Sequence, residues 1–160
     1  MLNVRITKDQ LGELAERIHR NAAKIVSSTD EAVALKAQLD APVDTGVLKN
    51  SVYASTFKGS GYADAKQKVR EALGESEDGA VGNEALASEA GNQKRLTADE
   101  IMLPEVEQPG DDLTAIVAVG AEYGLYVEMG TVHQTAQPYL GPALESERAA
   151  FTQAMKGILR

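Results

Sequence analysis

The 160-residue sequence contains no cysteine and no tryptophan, and only two phenylalanines. Without cysteine the chain has no disulfide, no thiolate nucleophile and no cysteine-ligated metal. The scarcity of aromatic rings leaves few platforms on which the bases of a single-stranded nucleic acid could stack. These absences exclude thiol chemistry and disfavour single-strand recognition.

Long apolar runs are missing as well, because no stretch approaches the roughly 18 apolar residues that a membrane-spanning helix needs. The first ten residues, "MLNVRITKDQ", carry Arg5, Lys8 and Asp9 and lack the apolar core of a secretory signal. We therefore expect no membrane partner and no secretion.

The first quarter of the chain has the pattern of one long helix. Apolar residues recur at helical spacing from about 8 to 39, after a capping-box pattern. A second capping-box pattern at 27–31 could divide this helix in two. Pro42 disfavours helix at the residue before it, so we expect the helix to end there. Ahead of the helix, alternating apolar residues in 2–6 predict a short strand.

Two further strands are predicted, at 48–57 and 113–120, from alternating or β-branched apolar residues. The glycine-rich "KGSG" ends the first of them. Residues 62–73 have a helical pattern that stops at Gly74, and a last helix begins with Pro142 in its first turn. Strands bracketed by helices, without βαβ alternation, predict an α+β fold. We expect an antiparallel sheet packed against a long N-terminal helix and a C-terminal helix.

The acidic charge is concentrated in the middle of the chain. The net charge is −8, and residues 58–112 hold 13 acidic and 6 basic side chains. A field of this sign repels a nucleic acid backbone. We interpret 1–160 as a single α+β domain in which 58–112 is an acidic, partly helical insertion, and we expect 75–95 to be mobile or ordered only against a partner.

The triplet Asp44-Thr45-Gly46 raises the alternative of an aspartic peptidase. Such an enzyme needs two carboxylates that share a proton, which a dimer could supply from one triplet in each chain. The peptidase triplet ends a buried strand, whereas here Pro42 and a helix precede it. Asp44 and Thr45 also suit a turn, and Gly46 tolerates unusual backbone angles. We favour a bend followed by a short helical turn at 47–51, with a dimeric peptidase using Asp44 as the alternative.

Other chemistry has little support in the sequence. The two histidines, His19 and His133, lie far apart and have no cysteine or second histidine nearby, so a metal site is not expected. Neither a phosphate-binding loop nor a nucleophile elbow occurs. We predict no cofactor, no metal and no catalytic residue.

Three pieces, "APVDTGVLKNSV", "YGLYVEMGT" and "AQPYLGPALE", follow one another along the chain. Together they resemble the tail-completion family of tailed bacteriophages and prophages, also called head–tail joining or neck proteins. Gln137 replaces the basic residue usual in that family, and Met129 stands where an aromatic is common. The resemblance covers roughly 1–57 and 113–160. The matching residues are Pro42, Asp44, Thr45, Gly46, Leu48 and Ser51 in the first piece, Tyr126, Val127, Glu128, Gly130 and Thr131 in the second, and Ala136, Pro138, Tyr139, Leu140, Pro142 and Ala143 in the third.

The resemblance implies a virion component that is not an enzyme. Such proteins are made in the host cytoplasm and assemble as rings, commonly sixfold, at the head–tail junction. The implied partners are further copies of the chain, a portal-side connector or head-closure protein, and a tail tube or terminator protein. Double-stranded DNA would pass through the channel without sequence-specific binding. A minor tail protein or a tail terminator is the alternative within this class.

The resemblance also suggests roles for parts of the chain. The sheet and segment 123–131 would form a rigid body, while loops 41–51 and 132–141 reach neighbouring subunits. Glu128 would accept hydrogen bonds from the backbone of one of those loops. The acidic segment 58–112 would either face the channel, where it repels DNA, or dock on a partner.

Overall fold

A computed structural model describes residues 10–43, 46–75 and 96–158. The predicted α+β fold is confirmed, because a three-stranded antiparallel sheet packs against a long N-terminal helix and a C-terminal helix. Within these residues, no helix is both long enough and apolar enough to cross a membrane.

The N-terminal helix, α1, spans Gln10–Asp40 without interruption. The prediction of one long helix is therefore confirmed. The capping-box pattern at 27–31 does not divide it, because the residues there lie inside a helix whose apolar face is packed on both sides of them. The helix ends two residues before Pro42, as expected from the restriction that proline places on the residue before it. The predicted strand at 2–6 lies outside the described residues.

A short helix, α2 (Val47–Asn50), follows the bend and leads into strand β1 (Val52–Thr56). The predicted helical turn at 47–51 is confirmed, and the predicted strand starts later than residue 48. Local hydrogen bonds explain the difference, since the backbone N–H of Ser51 donates to the Val47 carbonyl at 3.0 Å. Val47 and Leu48 are buried, so this turn anchors the bend to the core.

Strand β1 lies at the centre of the sheet. The "KGSG" stretch that was predicted to break the strand turns it back into a two-residue strand, β2 (Gly59–Ser60), paired antiparallel with β1. On the other side, β3 (Ala115–Val119) pairs antiparallel with β1, and Val52 lies opposite Val119. The strand order is β2-β1-β3.

Two helices come from the acidic segment. Helix α3 (Tyr62–Leu73) stops at Gly74, whose φ of 70° is left-handed, as the sequence predicted. Helix α4 (Ala98–Ile101) was not predicted from the sequence. It begins with a capping box in which Thr97 and Glu100 satisfy each other's backbone N–H groups.

The described parts of 58–112 contribute five buried side chains to the hydrophobic core. Two residues of α3 and three from α4 and its end are buried among the core side chains. Arg70 of α3 also pairs with Asp99 of α4 at 3.2 Å. Removing the whole segment would therefore remove part of the core. The buried residues are Ala65, Val69, Ala98, Ile101 and Met102.

Helix α5 (Gly124–Met129) follows β3, and the C-terminal helix α6 (Leu140–Gly157) packs against α1. Pro142 lies in the first turn of α6, as predicted. The apolar face expected on this helix is only partly covered: Leu144 is exposed, whereas Phe151 is half-buried.

Candidate functional site

The three sequence pieces that carry the family resemblance meet around Gly124, the first residue of α5. A Cβ atom added at Gly124 would lie 2.7 Å from Val119 Cγ1, 3.0 Å from Tyr139 Oη and 3.4 Å from Leu48 Cδ1. The Tyr139 hydroxyl also donates a hydrogen bond to the Gly124 carbonyl, with an oxygen–oxygen distance of 3.4 Å. Only glycine at position 124 leaves room for Leu48 of the first piece and Tyr139 of the third to pack against the second piece.

Glu128 joins α5 to the start of α6. Its Oε2 accepts hydrogen bonds from the backbone N–H groups of Tyr139 at 2.8 Å and Leu140 at 2.9 Å, and its Oε1 accepts one from Gly141 at 2.9 Å. The first N–H groups of a helix have no partner within the helix, so they need an acceptor from elsewhere. The hydrogen bonds expected between Glu128 and the loop 132–141 are therefore present. We call this arrangement the Glu128 clamp.

The electrostatics of the clamp favour a charged Glu128. Burial on its own would raise the pKa of the Glu128 carboxyl, but the three backbone donors together lower it below the ordinary value. The negative charge also lies at the positive end of the α6 dipole. Burial, followed by the charge of Glu128, raises the pKa of Tyr139 to about 12, so its hydroxyl keeps its proton.

Gly130 lets the chain fold back after α5. Its φ is 75°, and a Cβ atom there would lie 2.7 Å from the Ala136 nitrogen and 2.9 Å from the Gln134 oxygen. The backbone N–H of Gln137 then donates to the Val127 carbonyl at 2.9 Å. The loop that follows α5 is thus held against the helix by its backbone.

Thr131 and Pro138 mark the two ends of that loop, and both are exposed. The Thr131 hydroxyl oxygen accepts hydrogen bonds from the backbone N–H groups of His133 and Gln134, each at 3.1 Å. These local bonds close a turn. The loop therefore presents its side chains to solvent on a defined backbone.

The structure describes the first piece, residues 41–52, except for positions 44 and 45. Pro42 is half-buried after the end of α1, and Leu48 is buried in α2. Gly46 has a φ of 80°, which fits the bend expected there. Asp44 and Thr45 lie outside the described residues, so the role of Asp44 stays a prediction.

The outer face of α5 carries exposed apolar side chains that the sequence analysis did not select as interface residues, apart from Tyr126. Leu125, Tyr126 and Met129 are 66%, 59% and 71% exposed. Residues three and four apart share one side of a helix, so these three side chains are neighbours. We call them the α5 surface. Contiguous exposed apolar groups on a rigid element are typical of protein interfaces.

Asp30 of α1 is a further residue that the sequence analysis missed. It is buried to 6% exposure, and its Oδ2 has no hydrogen-bond partner among the described residues. A signal was present, because Asp30 follows Val26 by four residues and precedes Val33 by three, which places an acid beside the apolar stripe of the helix.

Neither histidine belongs to a group of possible metal ligands among the described residues. His19 lies 3.4 Å from Asp112 with much of its side chain exposed, and His133 lies in the exposed loop after α5. No group of three or more histidine, aspartate or glutamate side chains in this part of the chain could hold a metal ion.

No protein-family model matches this chain, and neither curated proteins nor solved structures give a significant match to it.

Proposed function

We propose that this chain is a structural protein of a tailed phage or prophage, which forms a ring at the head–tail junction and completes or joins the tail. One observation carries the proposal: three short pieces that resemble the tail-completion family come together in space. Leu48, Gly124 and Tyr139 lie far apart in the sequence but share one contact. The three pieces thus belong to one structural unit, as a common family origin would require.

The proposed work of the protein is done by interfaces. The Glu128 clamp holds α5 against the start of α6. The α5 surface is therefore already ordered before a partner binds. Such preorganisation lowers the entropic cost of association. A closed ring also needs a heterologous contact, in which one patch of a subunit meets a different patch of the next.

The α5 surface is large enough to matter for assembly. Burying an exposed leucine or methionine fully contributes about 1.5–3 kcal/mol. Leu125 is 66% and Met129 71% exposed, so burying what is left of each contributes about 1–2 kcal/mol. Since 1.4 kcal/mol is a factor of ten in an equilibrium constant, each side chain is expected to change association by about fivefold to thirtyfold. In the proposed particle this surface faces another copy, a portal-side connector or head-closure protein, or a tail tube or terminator protein.

The acidic segment 58–112 has a proposed role in addition to ring formation. Its charge would either keep passing double-stranded DNA from binding to the channel wall or attract a basic partner. Because Val69 and Ala98 are core residues, the test removes 76–95 alone. Loss of tail attachment with intact rings favours docking, whereas rings with altered DNA retention favour the channel.

The self-assembly part of the proposal is tested with matched leucine variants. Leu125 and Leu39 are both 66% exposed, so Leu125→Gln and Leu39→Gln remove the same amount of exposed apolar surface. We expect ring-shaped particles with a central channel in negative-stain electron micrographs of the purified protein, fewer of them for Leu125→Gln, and no change for Leu39→Gln. Equal ring formation by both variants would remove the α5 surface from the proposal.

The virion part is tested in the phage or prophage that encodes the chain. Deleting the gene is expected to leave filled heads and separate tails, and a plasmid copy should restore joined particles. Infectious, fully joined particles in the absence of the chain would overturn the proposed function.

A further inference from the structure

Helix α1 extends beyond the core of the protein. Its residues 11–21 are exposed, apart from half-buried Ile18, and the first buried residue is Ala22. One contact to the body is made by His19, which lies 3.4 Å from Asp112. At 1.5 Å per residue this part of the helix is roughly 16 Å long. We call residues 11–21 the arm.

The arm carries an apolar stripe. Leu11, Leu14 and Ile18 recur at the i, i+3, i+7 spacing of one helix face, and that face continues into the buried side of α1 at Ala22. Leu11 is 76% exposed and Leu14 is 40% exposed. This spacing is the one with which an amphipathic helix enters a groove on a partner.

A groove of about 630 Å³ lies between α1, β3 and α6. Most of its wall is apolar, so a helix with leucine and isoleucine anchors matches it chemically. The apolar lining residues include Val26, Val33, Val117, Leu140, Leu144 and Phe151.

The groove also contains a buried acid. Asp30 lines the groove and is only 6% exposed. Its Oδ2 has no hydrogen-bond partner in the described part of the chain. Burial, with a smaller effect from the charge of Glu31, raises the pKa of Asp30 to about 7. A buried carboxyl oxygen without a donor costs free energy. Because Oδ2 is covered by the protein, the carboxyl group has to rotate for an incoming donor to reach this oxygen and recover that cost.

The charges around Asp30 favour a basic occupant. Glu145 and Glu147 also line the groove, but each already has a basic partner, Arg148 at 3.3 Å for Glu145 and Lys36 for Glu147. Asp30, whose Oδ2 has no hydrogen-bond partner among the described residues, is therefore the acid that a basic occupant would meet. On the arm, Arg17 lies one residue before Ile18 and flanks the apolar stripe. A guanidinium group is well suited to an acid in a desolvated interface.

We propose that the arm of one copy docks in the groove of a second copy, where Leu11, Leu14 and Ile18 contact the apolar wall and Arg17 donates to Asp30. The arm cannot enter the groove of its own chain, because arm and groove wall are parts of one uninterrupted helix. The contact is heterologous, as a ring requires. The inference rests on one part of the proposed function, namely that copies of the chain associate. It does not depend on where a ring lies in a phage particle.

The absence of cysteine permits a direct test by crosslinking. A Leu14→Cys/Leu144→Cys double variant should give a ladder of disulfide-linked oligomers under mild oxidation, because each copy then carries one cysteine on the arm and one in the groove. Leu103→Cys/Leu144→Cys is the control, since Leu103 is 47% exposed but lies outside the arm. No ladder from the first pair, or equal ladders from both, would overturn the inference, as would dimers of Leu14→Cys alone.

Association constants provide the second test, by sedimentation velocity over a concentration series. Leu14→Asp and Arg17→Glu should each weaken association by about tenfold or more, while Arg17→Lys and Leu103→Asp have smaller effects. Circular dichroism should show that all four variants are folded, since these side chains are exposed. Normal association of Leu14→Asp would exclude the arm and leave the proposed ring standing. A wild-type chain that stays monomeric would exclude the arm contact, while the gene deletion tests the virion role separately.

Discussion

The Glu128→Gln substitution tests the clamp most directly. Glutamine keeps the length and shape of the side chain but removes its charge and replaces one acceptor oxygen with an amide N–H. The carboxylate of Glu128 accepts three backbone donors, from Tyr139, Leu140 and Gly141. In either orientation of the glutamine amide, at least one of these N–H groups then faces another donor.

The expected loss can be worked out from the bonds. Hydrogen bonds to a charged group contribute about 1.5–3 kcal/mol each, and neutral ones about 0.5–1.5 kcal/mol. Losing one charged bond and weakening two to neutral ones would cost about 3.5–6 kcal/mol at full burial. Glu128 is only partly buried, so solvent screening reduces the expected loss to about 2 kcal/mol. For a chain of this length, about 2 kcal/mol lowers the melting temperature by roughly 4–8 °C.

The assay is urea unfolding at pH 7, followed by circular dichroism on dilute protein. Glu145→Gln is the matched control, because Glu145 is also near the start of α6 but is exposed and pairs only with Arg148 among the contacts described here. We expect its effect to stay within about 0.5 kcal/mol. Equal unfolding free energies for Glu128→Gln and Glu145→Gln would refute the reasoning about the clamp.

The clamp also has a signature in acid. The pKa of Glu128 is lowered in the folded protein, so its contribution to stability is present above the unfolded value of 4.5 and is lost as the pH falls through the folded value. Wild-type protein should therefore lose more stability below about pH 4.5 than Glu128→Gln does. Parallel acid-unfolding curves for the two proteins would contradict this sign.

Two further predictions concern Asp30 and Gly130. Because the pKa of Asp30 is raised from 3.8 to about 7, the unfolding free energy of the wild type should fall as the pH rises between these values. At pH 8 the Asp30→Asn variant should therefore be about 2–4 kcal/mol more stable than the wild type. The measurement is denaturant unfolding of dilute protein at pH 5 and pH 8, with the exposed Asp40→Asn as the control. A stability difference between Asp30→Asn and wild type that did not grow with pH would contradict this prediction. Gly130→Ala should destabilise the fold by about 1–3 kcal/mol, because its φ is 75° and its Cβ would meet the Ala136 nitrogen at 2.7 Å. Gly12→Ala, in an open helical position, should instead stabilise by about 0.5–1 kcal/mol, and thermal melts in which both changes had the same sign would refute the comparison.

The elements that could be predicted from the sequence are those with a long local pattern. Helix α1 has a 3.6-residue apolar period over 31 residues, and β3 has three β-branched residues in a run of five. Helix α3 ends where Gly74 permits a left-handed residue. In each case the deciding interaction lies within a few residues of the element, so the sequence carries the information.

The parts that could not be predicted depend on distant contacts. Helix α5 has only six residues, too few for a helical period, and its position is fixed by backbone donors of α6. Helix α4 exists because Ala98 and Ile101 complete the core beside α3. The alternative of a break at 27–31 did not hold, because the packing of α1 before and after these residues outweighs their local preference for a helix start.

The candidate site was predicted in part. The backbone hydrogen bonds of Glu128 followed from the resemblance, and the exposed Tyr126 was selected as an interface residue. Leu125 and Asp30 were missed, because the first needs the helical form of α5 and the second needs the packing of β3 and α6 against α1. The meeting of the three pieces at Gly124 is likewise a property of the folded chain.

The continuity of α1 fixes the angle between its exposed end and its buried end. With 3.6 residues per turn, one residue inserted near Ala23 would rotate Leu14 by about 100° around the helix axis relative to Val33 and move it by about 1.5 Å. No hinge lies between them to absorb that rotation. The pitch of α1 thus fixes the direction in which its exposed end projects from the rest of the protein, and with it the geometry of the proposed contact between copies.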